Sequence, residues 1–175
     1  MGTWNAFYVK SDDEAAIMAV RREFPEAEIE ADGEFMGVRL PDDAFEAPEQ
    51  KLSDMSKRLD TEVIWMSFQS AVDAFQFHHW CAGALLRSLV FGCFGEERTW
   101  ERVEGTPEPW EREVFFDEKS LKIPLEYAES EKDKQELRRI WKEAEILPGR
   151  TEPGLDSRGC AHKIAQYYQL PHYGL

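Results

Sequence analysis

An α+β fold follows from three features of the sequence. Apolar residues alternate with period two in several short stretches, helical spacing appears between them, and turn residues separate the two patterns without a repeating strand-helix unit. Thr3 to Lys10 alternates Trp4, Ala6 and Tyr8 against Asn5, Phe7 and Val9, and predicts a first strand. Ser11-Asp12-Asp13-Glu14 has the form of a capping box, and Ala16, Ala19, Val20 and Phe24 continue at helical spacing to Pro25. Ala27 to Glu30 runs into Asp32-Gly33, a tight-turn dipeptide, and Phe35, Met36, Val38 and Leu40 complete a hairpin. After the loop from Pro41 to Pro48, Leu52, Met55 and Leu59 mark a helix that Pro48 opens and Asp60 ends. Glu62 to Gln69 is apolar on both alternating sets and predicts an interior strand.

This order, strand-helix-strand-strand-helix-strand, predicts a ferredoxin-like βαββαβ N-terminal portion over residues 1–70. Further antiparallel strands are expected within 71–116, over Asp73 to Trp80, Ala84 to Phe91 and Arg98 to Val103, so that the sheet extends beyond four strands. A short apolar stretch, Val114-Phe115-Phe116, follows the two prolines of Gly105 to Glu113. Within 117–175 a C-terminal helical portion is expected. Pro124 argues against a long helix early in it, Ser130 and Asp133 begin one carrying Leu137, Ile140, Trp141 and Ala144 and stopped by Pro148-Gly149, and Thr151 to Leu155 reads as a linker. Asp156 caps a last helix that turns Ala161, Ile164, Ala165 and Tyr168 inward. At 175 residues and 42% hydrophobic content, a single domain over 1–175 can bury one sizeable core without disulfides or a structural metal.

Charge narrows the function. Thirty-five acids against 21 bases give a net charge of -14, and residues 1–50 hold 13 acids and 4 bases, a net of -9. Such a field opposes nucleic-acid and anionic-membrane binding and steers basic partners. No apolar run approaches the roughly 20 residues of a spanning helix, the first ten residues lack a secretory signal, and three cysteines form no disulfide framework, so the expected setting is cytoplasmic.

Chemistry-bearing patterns are sparse. His78, His79, Cys81, Cys160 and His162 are ligand types for zinc, but neighbours on a strand diverge and positions two apart on a helix diverge as well, so no metal site is expected. Nucleotide and hydrolase signatures are missing, and no cofactor is implied. Of the thiols, Cys81 shares a strand face with His79, a possible base, and Cys160 lies in the first turn of the last helix. Arg87, inside the apolar run ALLRSLVFG, either emerges at a solvated face or pairs with a carboxylate. Trp110, flanked by acids and prolines, has the composition of an interface anchor, a pocket lid or a plug for the sheet edge.

The expected function is a non-catalytic, acidic, cytoplasmic protein-binding or regulatory domain whose partner is a protein, basic in character. Its contact residues are Glu26, Glu28, Glu30, Asp32, Glu34, Asp42 and Asp43, with Trp110 and Arg87. The alternative is a small-molecule or thiol-dependent enzymatic site around His79 and Cys81, with Cys160 as a second thiol.

Overall fold

Every side chain from Val63 to Phe68 is buried on both alternating sets, and so is every one from Ala74 to Trp80. Strands of that kind need cover on two faces, and the architecture supplies it. The computed structural model describes residues 2–11, 13–31, 33–44, 46–151 and 155–171. Seven strands form one sheet: β1 (Thr3–Val9), β2 (Glu28–Ala31), β3 (Met36–Arg39), β4 (Glu62–Gln69), β5 (Ala74–Cys81), β6 (Ala84–Phe91) and β7 (Trp100–Gly105). Their order is β2-β3-β1-β4-β5-β6-β7, and all neighbours are antiparallel. The class is α+β, with a sheet larger than a four-stranded ferredoxin-like one.

One face is covered by α1 (Glu14–Glu23) and α2 (Glu49–Leu59), whose Ala16, Val20, Leu52 and Met55 meet Phe7, Val9, Val63 and Trp65. The opposite face carries Tyr8, Ile64, Phe75 and Phe77. It is covered by α3 (Glu111–Phe115), α4 (Glu118–Tyr127), α5 (Glu131–Glu143) and α6 (Ser157–Tyr168). Each large apolar side chain buried this way contributes about 1.5–3 kcal/mol.

Several local expectations shift. The cap of α1 is Asp13, whose carboxylate accepts the Ala16 N–H at 2.7 Å, and not Ser11 with Glu14. A carboxylate two residues nearer the helix reaches the free amides better than the Ser11 hydroxyl. Strands expected from Asp73 and Arg98 run instead over Ala74–Cys81 and Trp100–Gly105. The stretch Val114–Phe116 is mostly helical, because burying three adjacent apolar residues under one element suits a helical turn. Pro124 lies inside α4, a ten-residue helix that ends at Tyr127, within a turn of the missing amide. The capping box at Ser130 and Asp133 and the cap at Asp156 are formed. Of the expected linker, residues 152–154 lie outside the described residues, and Thr151 pairs with Thr99 in an isolated antiparallel bridge.

Two backbone features set the geometry of the central strands. Pairing between β5 and β6 skips Leu86, so that Trp80 faces Leu85 while His79 faces Arg87. This bulge places two basic side chains next to each other on the face covered by α3 to α6. Gly105 closes against it at a φ of 83°, where a Cβ would run into the Leu86 carbonyl. Gly105→Ala is therefore expected to cost about 1–3 kcal/mol or more from backbone strain and collision, read as a lowered midpoint of urea unfolding.

Candidate functional site

The segment Glu108-Pro109-Trp110-Glu111 lies across the sheet as a strap. Its indole turns inward, 2% exposed, and meets Phe77 edge-on at 4.9 Å and 78°. Trp110 thus belongs to the core and offers no surface to a partner. The strap passes over a face that needs its neighbouring acids, because Arg87 and His79 stand there among aromatic rings. Arg87 is 3% exposed, and Glu111 grips its guanidinium through both oxygens, at 2.7 Å to Nε and 2.8 Å to Nη2. The Glu104 and Gly105 carbonyls accept from Nη1 at 3.3 and 3.0 Å. Of the two outcomes expected for Arg87, pairing with a carboxylate is the one formed; its side chain is not available to a partner.

His79 is 4% exposed and meets a carboxylate at each ring nitrogen: Glu108 Oε1 lies 2.6 Å from Nδ1 and Glu62 Oε2 lies 3.0 Å from Nε2. Each ring nitrogen therefore has a carboxylate oxygen as its hydrogen-bond partner, and the ring orientation is fixed from both sides. The chain of contacts continues outward, since Lys10 Nζ donates to Glu62 Oε1 at 2.9 Å. Partial burial works to raise the Glu62 carboxyl, but the Lys10 hydrogen bond and charge, followed by His79, hold it below the usual carboxylate range. On the other side the Tyr168 hydroxyl accepts from the Trp110 indole at 3.1 Å and is hydrogen-bonded to Glu108. Burial pushes that hydroxyl far above its ordinary value. Lys10, Glu62, His79, Glu108 and Tyr168 thus form one hydrogen-bonded row, and the Glu108 N–H donates to Glu111 at 2.8 Å, tying the row to Arg87.

This arrangement does not build the expected thiol site. Cys81 pairs with Glu62 across the ladder, and both nitrogens of His79 are engaged by carboxylates, which leaves no ring nitrogen to serve the thiol as a base. Cys160 is buried at 7% in the first turn of α6, where it packs as part of the core. Burial pushes the third thiol, Cys93, up to about 11. His78 lies on the face of the sheet opposite His79, bonded through Nδ1 to Ser88 Oγ at 2.8 Å. Among the described residues no group of three His, Cys, Asp or Glu side chains is set to hold a metal ion.

The acidic residues divide. Glu26, Glu28 and Asp42 come together around a groove of about 320 Å³ with Arg39, Leu40 and Pro41. Glu26, Leu40 and Pro41 also line an adjoining, mostly apolar groove of about 300 Å³, completed by Phe24, Ala27, Ala44 and Pro48 and rimmed by Glu23 and Glu46. Register places Glu28 opposite Arg39 and Glu30 opposite Gly37, on one side of the hairpin, while Ile29 packs on the other. Glu30 is half-buried, Asp43 is exposed without lining either groove, and Glu34 lies at the far end of the hairpin, beside Lys10 and Glu62. Asp32 is outside the described residues. The loop that carries Asp42 is pinned from below, because buried Asn5 donates through Nδ2 to the Pro41 and Asp42 carbonyls at 3.0 and 3.2 Å.

With the geometry in hand, comparison with known proteins adds no assignment: no protein-family model matches the chain, and no curated protein and no solved structure matches it either. Sequence spacing does not single out Glu62, Glu108 or Glu111. The signal that points to them is the pair of buried basic residues on neighbouring strands, which require carboxylates from elsewhere.

Two outcomes follow for this region. Arg87→Met leaves Glu111 buried without its partner and is expected to cost about 3–5 kcal/mol in chemical denaturation, whereas Arg87→Met with Glu111→Leu recovers most of the loss. His78, whose ring burial and the Arg102 charge push down to about 3 from 6.5, gives a pH dependence. Between those values the unfolded chain binds a proton that the folded chain does not, so stability falls as pH is lowered from about 6.5 toward 3. His78→Asn is expected to flatten that decline in unfolding midpoints measured across the window.

Proposed function

We propose that the protein is a non-catalytic binding module that recognises a basic segment of a partner protein at the groove pair between the α1–β2 connection and the β3–α2 loop. The observation that carries this is the convergence of Glu26, Glu28 and Asp42 on one groove beside an apolar one. An apolar floor with a charged rim is the composition of a protein interface, and the three carboxylates outnumber the single guanidinium there, Arg39, which lies 3.5 Å from Asp42, so the net negative rim accelerates encounter with a basic partner. The neighbouring edge strand β2 has four residues, two of them glutamates, and resists strand addition, so recognition runs through side chains. Lysine or arginine heads of the partner meet Glu26, Glu28 and Asp42, and an adjacent apolar side chain lies over Phe24 and Leu40.

A cytoplasmic setting belongs to the same proposal, supported by Cys81, Cys93 and Cys160, none of which is in a disulfide. No helix among the described residues is long and apolar enough to cross a membrane. We also read residues 1–70 as a ferredoxin-like unit, a reading supported by the order β2-β3-β1-β4 and by α1 and α2 packing on one face.

Charge reversal tests the site. Protein carrying Glu26→Lys, Glu28→Lys and Asp42→Lys is expected to lose a basic partner captured from source-cell lysate at low salt, with association slowed at least about tenfold and its salt dependence flattened. Reversal of Glu126 on α4 with Glu131 and Glu136 on α5 matches that change in net charge and is expected to leave capture intact. Equal loss in both variants, or loss in neither, removes the groove as the binding site.

A further inference from the structure

A different surface lies at the opposite end of the β2–β3 hairpin, where β1 ends, β4 begins and α6 terminates. A cavity of about 200 Å³ opens there, lined by Lys10, Glu34, Phe35, Glu62, Tyr167 and Tyr168 among others. Its aromatic rings form a corner. Phe35, 3% exposed, meets Tyr168 at 6.1 Å and 73°, and Tyr167 meets Tyr168 at 5.0 Å and 86°, so successive rings stand nearly perpendicular around the cavity. Two carboxylates, Glu34 and Glu62, share the cavity with them.

The molecule itself places an ammonium in this corner. Lys10 Nζ lies 5.8 Å over the Phe35 ring while donating to Glu62. A third contribution comes from α6, which ends on Tyr168 with no basic side chain in its last turn. The negative end of a twelve-residue helix is therefore directed at the corner without a cation of its own. Ring quadrupoles, carboxylates and a helix C-terminus all favour positive charge. The lining is also held in place from behind, since His79 fixes Glu62, and the Trp110 indole and Glu108 fix the Tyr168 hydroxyl.

We propose that this corner binds a small alkylammonium head, with a trimethylammonium group as the ligand class, which displaces the Lys10 ammonium. The volume lies below the roughly 300–1,000 Å³ of clefts for drug-sized ligands and suits a headgroup. A quaternary head forgoes hydrogen bonds and gains from ring faces, whereas Lys10 retains its own hydrogen bond to Glu62 only by remaining in the site. Lys10 has an exposed, four-carbon stem that can withdraw to solvent. The ligand chemistry is shared by a free compound such as choline and by a trimethylated lysine side chain, and the site is independent of the acidic groove pair.

The test uses the full chain, isotopically labelled and titrated by NMR with choline, with 3,3-dimethyl-1-butanol as its uncharged isostere, and with a short trimethyllysine peptide. Choline is expected to bind saturably with shifts centred on Phe35, Tyr167 and Tyr168, and the uncharged isostere at least about tenfold more weakly. Tyr167→Ala, at a half-exposed position, is expected to weaken choline about tenfold, and Lys10→Met to strengthen it. Tighter binding of the peptide than of choline supports a protein-borne ligand, and equal binding a free one. Equal binding of choline and its isostere, or no saturable choline binding in either the parent protein or Lys10→Met, overturns the proposal. Protein carrying the groove reversals Glu26→Lys, Glu28→Lys and Asp42→Lys keeps choline binding, which separates the two sites.

Discussion

Two basic side chains, Arg87 and His79, stand next to each other on a sheet face that is otherwise aromatic, and one short strap supplies carboxylates to both. Leaving either without a partner in that surrounding is expensive, so the position of the strap is fixed by charge as much as by the packing of Trp110. Its consequences spread widely. The strap carries the chain from β7 into α3, sets where α6 can lie, and holds Glu62 and Tyr168 toward the end of the sheet. Polar groups buried in this way specify one arrangement among several that apolar packing alone would tolerate.

Much of the architecture can be read in the sequence because it rests on local signals. The period-two runs, Asp60 after Leu59, and Ser130 with Asp133 each locate an element boundary from a few adjacent residues. The capping carboxylate of α1 is displaced by two residues from Ser11 because several oxygens near a helix start compete and only three-dimensional reach decides among them. Trp110 is harder to place from sequence. Acids and prolines around a tryptophan resemble an exposed anchor until one sees that Glu108 and Glu111 face inward to meet basic residues on β5 and β6. The bulge at Leu86 that brings those residues opposite each other leaves no mark in the sequence, since β6 alternates no differently from a regular strand.

The same limit applies to the acidic N-terminal third. Counting charges there indicates a negative surface but not its division. Folding the hairpin separates Glu34 from Glu28 by the length of β2, and it brings Glu26 and Glu28 beside Asp42, which follows them by more than a dozen residues. One end of the hairpin then carries carboxylates around apolar floors, and the other carries carboxylates among aromatic rings. These are different chemical surfaces made from one run of glutamates.

Asn5 gives the groove at the first end a further property. Its side-chain amide reaches from the interior strand β1 to two successive carbonyls of the Pro41–Asp42 backbone, and its backbone carbonyl accepts the Leu40 N–H at 2.9 Å. The loop is in this way an outgrowth of the core, and it cannot rearrange without abandoning bonds to a residue that water does not reach. A partner docking there meets a surface already in its final shape, so little of the entropy of loop ordering has to be surrendered at the moment of contact.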